Sequence, residues 1–200
     1  VVCANKGLPE SGYTTGYYNA RMSQKELKFA TDPDNPTETD PMLMTKRLEI
    51  DGNIADLGAY FANFKNLEEV VIKAPVRKLY RTFSGCEKLA SVSTATLDTI
   101  GIESFMGTAL TNLSLPAATQ ISDRAFKDCS QLQVVQFGTS CEIGSSVFEN
   151  CTSLTNIDLG TAKTESSTNL FKGCSSLNGV IFHGTEVCRG MFEGCTALEQ

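Results

Sequence analysis

The chain has 200 residues, of which 41% are apolar and 20% are charged, so it is long enough to bury a core and unlike a disordered chain in composition. Its net charge is −6, which excludes the basic surface by which proteins bind nucleic acid or anionic lipid. No apolar run approaches the ~18 residues of a membrane span. We therefore expect neither nucleic-acid binding nor insertion into a membrane.

The first segment, residues 1–26, lacks the internal repeat that occupies the rest of the chain. Because a repeat array must cover its first core layer, we expect this segment to form an N-terminal cap. The stretch 31–41, TDPDNPTETDP, carries three prolines and four acidic residues and is expected to be an exposed loop. A lipid anchor at Cys3 is an alternative that the bulky Val2 before it disfavours.

Residues 27–200 repeat with a period of 21–23 residues, which predicts about eight stacked coils. Phenylalanine gives the register, and in most coils a cysteine follows it after three residues and a leucine after six. The repeated phenylalanines are Phe61, Phe83, Phe105, Phe126, Phe148, Phe171 and Phe192. We expect them to form one buried column.

Each coil also contains a short stretch in which apolar and polar residues alternate, which is typical of a half-buried strand. The predicted strands lie near residues 27–29, 47–50, 69–72, 91–94, 112–115, 134–137, 156–159 and 179–182. Since the strands recur at one point of the repeat, neighbours should run parallel, ~4.8 Å apart. The sequence thus predicts an α/β repeat solenoid with a parallel concave sheet and short helical or irregular returns.

Five cysteines share one repeat position, between the inward phenylalanine and leucine: Cys86, Cys129, Cys151, Cys174 and Cys195. We expect a stacked row of buried free thiols that behave as small apolar side chains. Disulfides between 129 and 151 and between 174 and 195 are the alternative, although parallel Cβ vectors give poor bridge geometry. Cys141 and Cys188 lie outside this row. No C-x-x-C is present and no cysteine of the row lies near His183, so we expect no metal site.

Chemistry for catalysis is sparse. His183 and Cys188 are the one pair that resembles a base and a nucleophile, but a working pair needs an orienting third group and an oxyanion site. The sequence supplies neither, and no glycine-rich phosphate loop is present. We expect no enzyme activity, no catalytic residues and no cofactor.

The repeat unit resembles a known family. Blocks such as SSVFENCTSLTNIDLG at 145–160 and NLFKGCSSLNGVIFHG at 169–184 are similar to the BspA-like leucine-rich repeat, also called the Treponema pallidum type, over about residues 45–200. The resemblance implies a right-handed leucine-rich-repeat superhelix in a bacterial surface or secreted protein concerned with adhesion or recognition. Departures from the pattern, which we expect to disturb regularity only locally, are Phe64, Thr94, Thr108 and residues 161–170.

The outward residues of the predicted strands are the candidate partner-binding set, because solenoids usually recognise partners on the concave sheet. They are Arg47, Glu49, Glu69, Lys73, Ser91, Ser93, Asn112, Ser114, Gln136, Asn156, Asp158 and His183. Outward residues have no evident folding role, so we hypothesise that the charged first coils steer a partner and the polar middle coils contact it. An ordinary solvated face is the alternative interpretation.

Short hydroxyl and amide side chains without an aromatic platform suit a protein or polar glycan better than a buried small molecule. We therefore predict a monomeric, non-enzymatic recognition module that binds a protein or cell-surface glycan. We expect it outside the cell or attached to the cell surface, and the opening at Val1 is consistent with a mature export product. The alternative function is a structural spacer segment of a larger surface protein.

Overall fold

The structure is a computed structural model that describes residues 43, 45–51, 57–138 and 140–198. The predicted cap at 1–26, the predicted strand at 27–29, the loop at 31–41 and Cys3 lie outside the described residues.

The described residues form short strands joined by turns. In chain order the strands are β1 (Arg47–Ile50), β2 (Glu69–Ile72), β3 (Lys78–Leu79), β4 (Ser91–Thr94), β5 (Thr99–Ile100), β6 (Asn112–Leu115), β7 (Gln120–Ile121), β8 (Val134–Phe137), β9 (Glu142–Ile143), β10 (Asn156–Gly160) and β11 (Gly179–Phe182). All assigned strand pairs are parallel. The predicted leucine-rich-repeat solenoid is confirmed.

The longer strands β1, β2, β4, β6, β8, β10 and β11 form what we call the long-strand sheet. Ladders join β1 to β2 and β4, β6 to β8, and β10 to β11, while β4 lies beside β6 and β8 beside β10. The register places apolar residues opposite one another, as in Leu48, Val70 and Val92. Side chains alternate between the buried core and the outer surface because successive strand residues point to opposite faces.

A second sheet, the short-strand sheet, consists of the two-residue strands β3, β5, β7 and β9. Its inward residues Leu79, Ile100, Ile121 and Ile143 stand in register and are buried. An isolated bridge between Glu142 and Lys163 carries the same pairing into the next coil. The four coils that contain β2, β4, β6 and β8 therefore each contribute to two parallel ladders that enclose one core.

The returns carry the phenylalanine column. Of the helical or irregular returns that the sequence predicts, the structure contains the irregular kind, a succession of turns. Neighbouring phenylalanine rings stack with centroids 5.5–5.9 Å apart and interplanar angles of 3–17°. The rings from Phe61 to Phe171 are fully buried, and Phe192 is partly buried. The predicted column is confirmed.

Backbone hydrogen bonds tie each return to the next. The N–H groups of Arg124, Phe126 and Asp128 donate to carbonyls of the following coil over 2.9, 3.0 and 2.8 Å. These alternate N–H groups point the same way because Arg124 and Asp128 have positive φ angles of 55° and 62°. A left-handed conformation costs a non-glycine residue ~1–2 kcal/mol, and the hydrogen bond that its N–H group forms with the next coil offsets ~1 kcal/mol of that cost.

The cysteine row has a hydrogen-bonding role. Every thiol of the row donates to the carbonyl oxygen of the phenylalanine one coil earlier. The pairs are Cys86 to Phe61 (3.1 Å), Cys129 to Phe105 (3.0 Å), Cys151 to Phe126 (3.2 Å), Cys174 to Phe148 (2.9 Å) and Cys195 to Phe171 (3.1 Å). All are free and buried, as are Cys141 and Cys188.

The departures from the repeat are accommodated locally. The hydroxyl of Thr108 donates to the Phe105 carbonyl of its own coil over 2.9 Å, and the Phe64 ring meets Phe61 edge-on at 5.6 Å. Thr94 is half-buried in its strand. Within residues 161–170, Thr164 occupies the position of the usual isoleucine, and its buried hydroxyl donates to the Glu186 carbonyl oxygen over 3.2 Å. The buried Ser167 hydroxyl donates to the Ile143 carbonyl oxygen.

Candidate functional site

The outward face of the long-strand sheet contains all the predicted partner-binding residues. Arg47, Glu49, Glu69, Ser91, Ser93, Asn112, Ser114, Gln136, Asn156 and Asp158 lie at outward strand positions, and Lys73 and His183 directly follow β2 and β11. The face changes in character from the N-terminal coils to the C-terminal coils.

In the coils that contain β1 and β2, the charged outward residues pair with one another. Arg47 of β1 binds Glu69 of β2, and Lys73 binds Glu49, so each pair joins adjacent coils. Exposed pairs of this kind contribute ~0–1 kcal/mol to stability. Pairing between coils is therefore an explanation for the charge at these four positions, and this charge does not by itself indicate that a partner is steered there.

The middle coils present short polar side chains. Ser91, Ser93 and Ser114 are exposed, and Ser114 stands opposite the exposed Gln136 in the ladder between β6 and β8. Asn112 makes a local contact in which its side-chain nitrogen lies 3.3 Å from the Thr111 hydroxyl. This part of the face can donate and accept hydrogen bonds without giving up contacts between coils.

The C-terminal coils contain an open depression of about 520 Å³ over β8, β10 and β11. Two of its side chains are exposed aliphatics, Val134 (45% exposed) and Ile181 (53% exposed). Sequence reasoning left both out of the candidate set because it sought polar residues. The available signal was an apolar residue at an outward strand position.

Polar groups complete this depression. The side-chain nitrogen of Asn156 lies 3.3 Å from the Thr155 hydroxyl, and an Asp158 carboxylate oxygen accepts from the Gly160 N–H over 2.8 Å. That contact coincides with a register irregularity between Asp158 and Gly160. Asp158 nevertheless remains exposed, as does His183 just beyond β11.

A second depression, of about 490 Å³, lies along the short-strand sheet and includes Asp123, Glu142, Lys163 and Glu165. Its charges are mostly used between coils. Asp123 accepts from the Ser145 N–H over 2.9 Å, and Lys163 pairs with Glu142 over 3.5 Å. We therefore do not assign a site to it.

The thiols are poorly suited to nucleophilic chemistry. Burial raises the pKa of Cys129 to about 11 and the pKa values of Cys86, Cys141 and Cys174 to about 12. Burial also raises the pKa of Cys188, the cysteine that lies nearest His183 in sequence. A thiol with a raised pKa is scarcely ionised at neutral pH, and the thiolate is the nucleophile.

In the part of the chain that the structure describes, no group of three or more His, Cys, Asp or Glu side chains is arranged to hold a metal ion. The same residues contain no helix of the length and apolarity needed to cross a membrane.

Comparison with known proteins gives the following matches. The crystal structure of the Treponema pallidum leucine-rich repeat protein is 21% identical, with 77% of this chain and 78% of that chain covered and a TM-score of 0.52, which shows the same fold. A leucine-rich repeat protein from Bacteroides ovatus is 18% identical over 78% of this chain and 60% of that chain, with a TM-score of 0.37. A leucine rich cell surface protein from Faecalibacterium prausnitzii is 17% identical over 78% of this chain and 66% of that chain, with a TM-score of 0.39.

No curated protein sequence matches the chain. The family model for the BspA type leucine rich repeat region matches in six copies, over residues 55–178 and 98–200. This confirms the resemblance in the repeat unit, and the chain belongs to the BspA-type leucine-rich-repeat family.

Proposed function

We propose that the chain is a non-enzymatic recognition module, secreted or attached to the cell surface. In this proposal, a protein or glycan partner binds the outward face of the long-strand sheet. The module acts as a monomer and performs adhesion or recognition.

The observation that carries this proposal is that the outward face after β2 presents exposed polar side chains. Ser91, Ser93, Ser114 and Gln136 are exposed, and none of their side chains forms a hydrogen bond or ion pair with another described residue. The strand residues between them point inward and hold these side chains in fixed rows. A rigid row of free donors and acceptors needs little ordering when a ligand binds.

Membership of the leucine-rich-repeat family supports a role in protein interaction, since such arrays present extended binding surfaces on their sheets. The chemistry of the described residues supports a role without catalysis. The thiols are buried with raised pKa values, and His183, the single histidine of the chain, is exposed at the end of a strand.

A structural spacer is the second candidate, and the ion pairs favour it. The ten pairs found among the described residues all join neighbouring coils, as Lys65 does with Glu87 over 2.6 Å. Such pairs serve the stacking of the coils. A spacer needs that stacking and has no use for a free outward face.

The test is binding by two matched variants to a glycan array and a peptide array. The first variant, S93K/S114K/Q136K, fills the outward face with long charged side chains in three neighbouring coils. The control, S130K/T152K/S175K, makes the same kind of change at exposed positions of the returns. Both variants should remain folded, as checked by thermal unfolding.

We expect the first variant to lose the array contacts of the unmodified protein and the control to keep them. If both variants retain them, the outward face is not the binding surface. If the unmodified protein binds nothing on either array, the spacer function takes precedence.

A further inference from the structure

The depression over β8, β10 and β11 differs from the rest of the outward face. Here Val134 and Ile181 expose large aliphatic side chains, whereas the inward strand residues in the same coils are buried or partly buried. Exposed aliphatic surface in contact with water brings no stability to the fold. Apolar surface that borders a concavity is characteristic of a place where another molecule binds.

The geometry brings apolar and polar groups together. Asp158 and Ile181 are direct partners in the ladder between β10 and β11, so a carboxylate stands beside an aliphatic side chain. Gly138, Gly160 and Gly179 also line the depression, and the side chain of Asn156 lies over Gly179, where an added Cβ would be 2.2 Å from its Oδ1. An amide is therefore held beside the two aliphatic side chains.

These observations favour a peptide over a glycan. The outward-pointing side chains of the depression include two aliphatic groups and no aromatic ring on which a sugar could stack. Aliphatic side chains are complemented by other aliphatic side chains, while the amides of Gln136 and Asn156 can pair with the main chain of a peptide.

Charge favours a basic partner. Asp158 is the one acidic side chain among the described residues that line the depression, and the whole chain carries a net charge of −6. An opposite charge on the partner is attracted to this surface and stabilised beside the exposed carboxylate.

We infer that this depression binds a segment of a protein partner in which an aliphatic side chain lies next to a lysine or arginine. The inference rests on the proposed function and specifies the class and the position of the partner.

The probe is a phage-displayed library of random linear peptides, selected against the folded chain. The test variant V134S/I181S removes both exposed aliphatic side chains, and D158N removes the charge. Val71→Ser is the matched control, because Val71 is an outward aliphatic residue of β2, far along the sheet from the depression. The outward positions of these residues should leave the fold intact, as checked by thermal unfolding.

We expect the selected peptides to be enriched in aliphatic residues next to lysine or arginine. They should bind V134S/I181S about tenfold more weakly or worse, bind D158N more weakly, and bind V71S as they bind the unmodified protein. Unchanged binding to V134S/I181S overturns the inference, and so does a selection that enriches no such peptide.

Other occupants give different results. If array glycans bind the unmodified protein but not V134S/I181S, the occupant of the depression is a sugar and not a peptide. A change from dimer to monomer in V134S/I181S by sedimentation would identify a second copy as the occupant. Peptides that are lost by S93K/S114K/Q136K but retained by V134S/I181S leave the proposed function standing and overturn only this inference. Peptides that both variants retain overturn both.

Discussion

The returns and the long strands differ in how strictly their residues repeat from coil to coil. Every return from Phe61 to Phe192 has a phenylalanine at the same place, and the rings stack in an unbroken column. The inward strand residues vary more, and some of them, such as Val92, Phe137 and Phe182, are only partly buried. Ladder pairing in the long-strand sheet is also interrupted between β4 and β6 and between β8 and β10. The returns thus fix the register of the coils, whereas the strands tolerate variation.

The difference has a physical cause in how densely each region is bonded. One return combines a stacked ring, a thiol that donates to the previous coil and several N–H groups that donate to the next coil. The packing and hydrogen bonds of a return therefore limit which residue types fit at each of its positions. A strand uses its backbone and every second side chain for the core, so outward residues that do not pair between coils, such as Ser93 and Ser114, are available for binding.

The largest expected effect comes from breaking the ring column. Phe126→Ala removes a fully buried ring that stacks on Phe105 and Phe148 and should lower the free energy of unfolding by about 3–5 kcal/mol. Val135→Ala, in the inward row of the sheet, should cost about 2 kcal/mol. Urea-induced unfolding followed by circular dichroism measures both. Equal losses of free energy of unfolding would mean that the ring column stabilises the fold no more than the inward row of the sheet does.

Close contact between coils should be the next most sensitive feature. A Cβ atom added to Gly101 would lie 2.1 Å from the Leu79 carbonyl oxygen, so the backbone would have to move. We expect Gly101→Ala to cost about 3 kcal/mol in urea unfolding. Gly107→Ala is the control in the same coil, where a Cβ meets nothing within 4 Å and only the positive φ of 69° opposes alanine. It should cost about 1 kcal/mol, and a cost equal to that of Gly101→Ala would contradict the proposed close approach.

The thiol row predicts a pH dependence. Burial raises the pKa of Cys86 to about 12, while an unfolded thiol titrates near its ordinary value of 9.0. The unfolded state therefore loses its proton first, and the contribution of Cys86 to stability, complete below pH 9, falls as the pH rises toward 12.

Cys86→Ala should accordingly be less stable than the unmodified protein at neutral pH, and the difference in free energy of unfolding should narrow by about 1 kcal/mol between about pH 8 and about pH 10. Urea unfolding at the two pH values measures it, and the other thiols cancel because both proteins contain them. A gap that stays constant would show that Cys86 ionises equally in both states.

A smaller effect is expected from the ion pairs that join neighbouring returns. Glu103, 15% exposed, binds both Arg81 (3.0 Å) and Arg124 (2.8 Å), whereas the more exposed Glu87 binds Lys65 alone. Glu103→Gln should lower the free energy of unfolding by about 1 kcal/mol and Glu87→Gln by less, with both losses reduced at high salt. Losses that do not respond to salt would show that shape rather than charge matters there.

Much of the architecture could be predicted from the sequence because the apolar residues that recur at fixed positions of the repeat are the ones that face the core. The spacing from Phe61 to Phe192 revealed the column, and period-two alternation revealed the long strands. The short-strand sheet could not be found in this way, since two residues such as Lys78–Leu79 are too few for a period to show.

Another signal was available and was missed. The residue two places after each phenylalanine has a positive φ and is always glycine, asparagine or aspartate: Asn63, Gly85, Gly107, Asp128, Asn150, Gly173 and Gly194. These are the residue types that best tolerate a left-handed backbone. The residues two places before each phenylalanine from Phe83 onward are also left-handed, but only Asn169 and Gly190 among them are of these types, so the sequence gives a weaker signal there.

The candidate site was predicted only in part. Alternation located the outward residues, but it gave no information on which of them bind one another. The pairing of Arg47 with Glu69 depends on the alignment of two coils, and the depression beside Val134 and Ile181 depends on the relation of three. These are properties of the stacked structure that no single coil contains.

After β2, the outward face of the long-strand sheet is free of the folding constraints that act on the returns. Urea unfolding of S93T/S114T/Q136T tests it most directly, since three outward residues in neighbouring coils change at once to a residue that suits an exposed strand. We expect a free energy of unfolding within about 0.5 kcal/mol of that of the unmodified protein. A loss comparable to that of Phe126→Ala alone would contradict it.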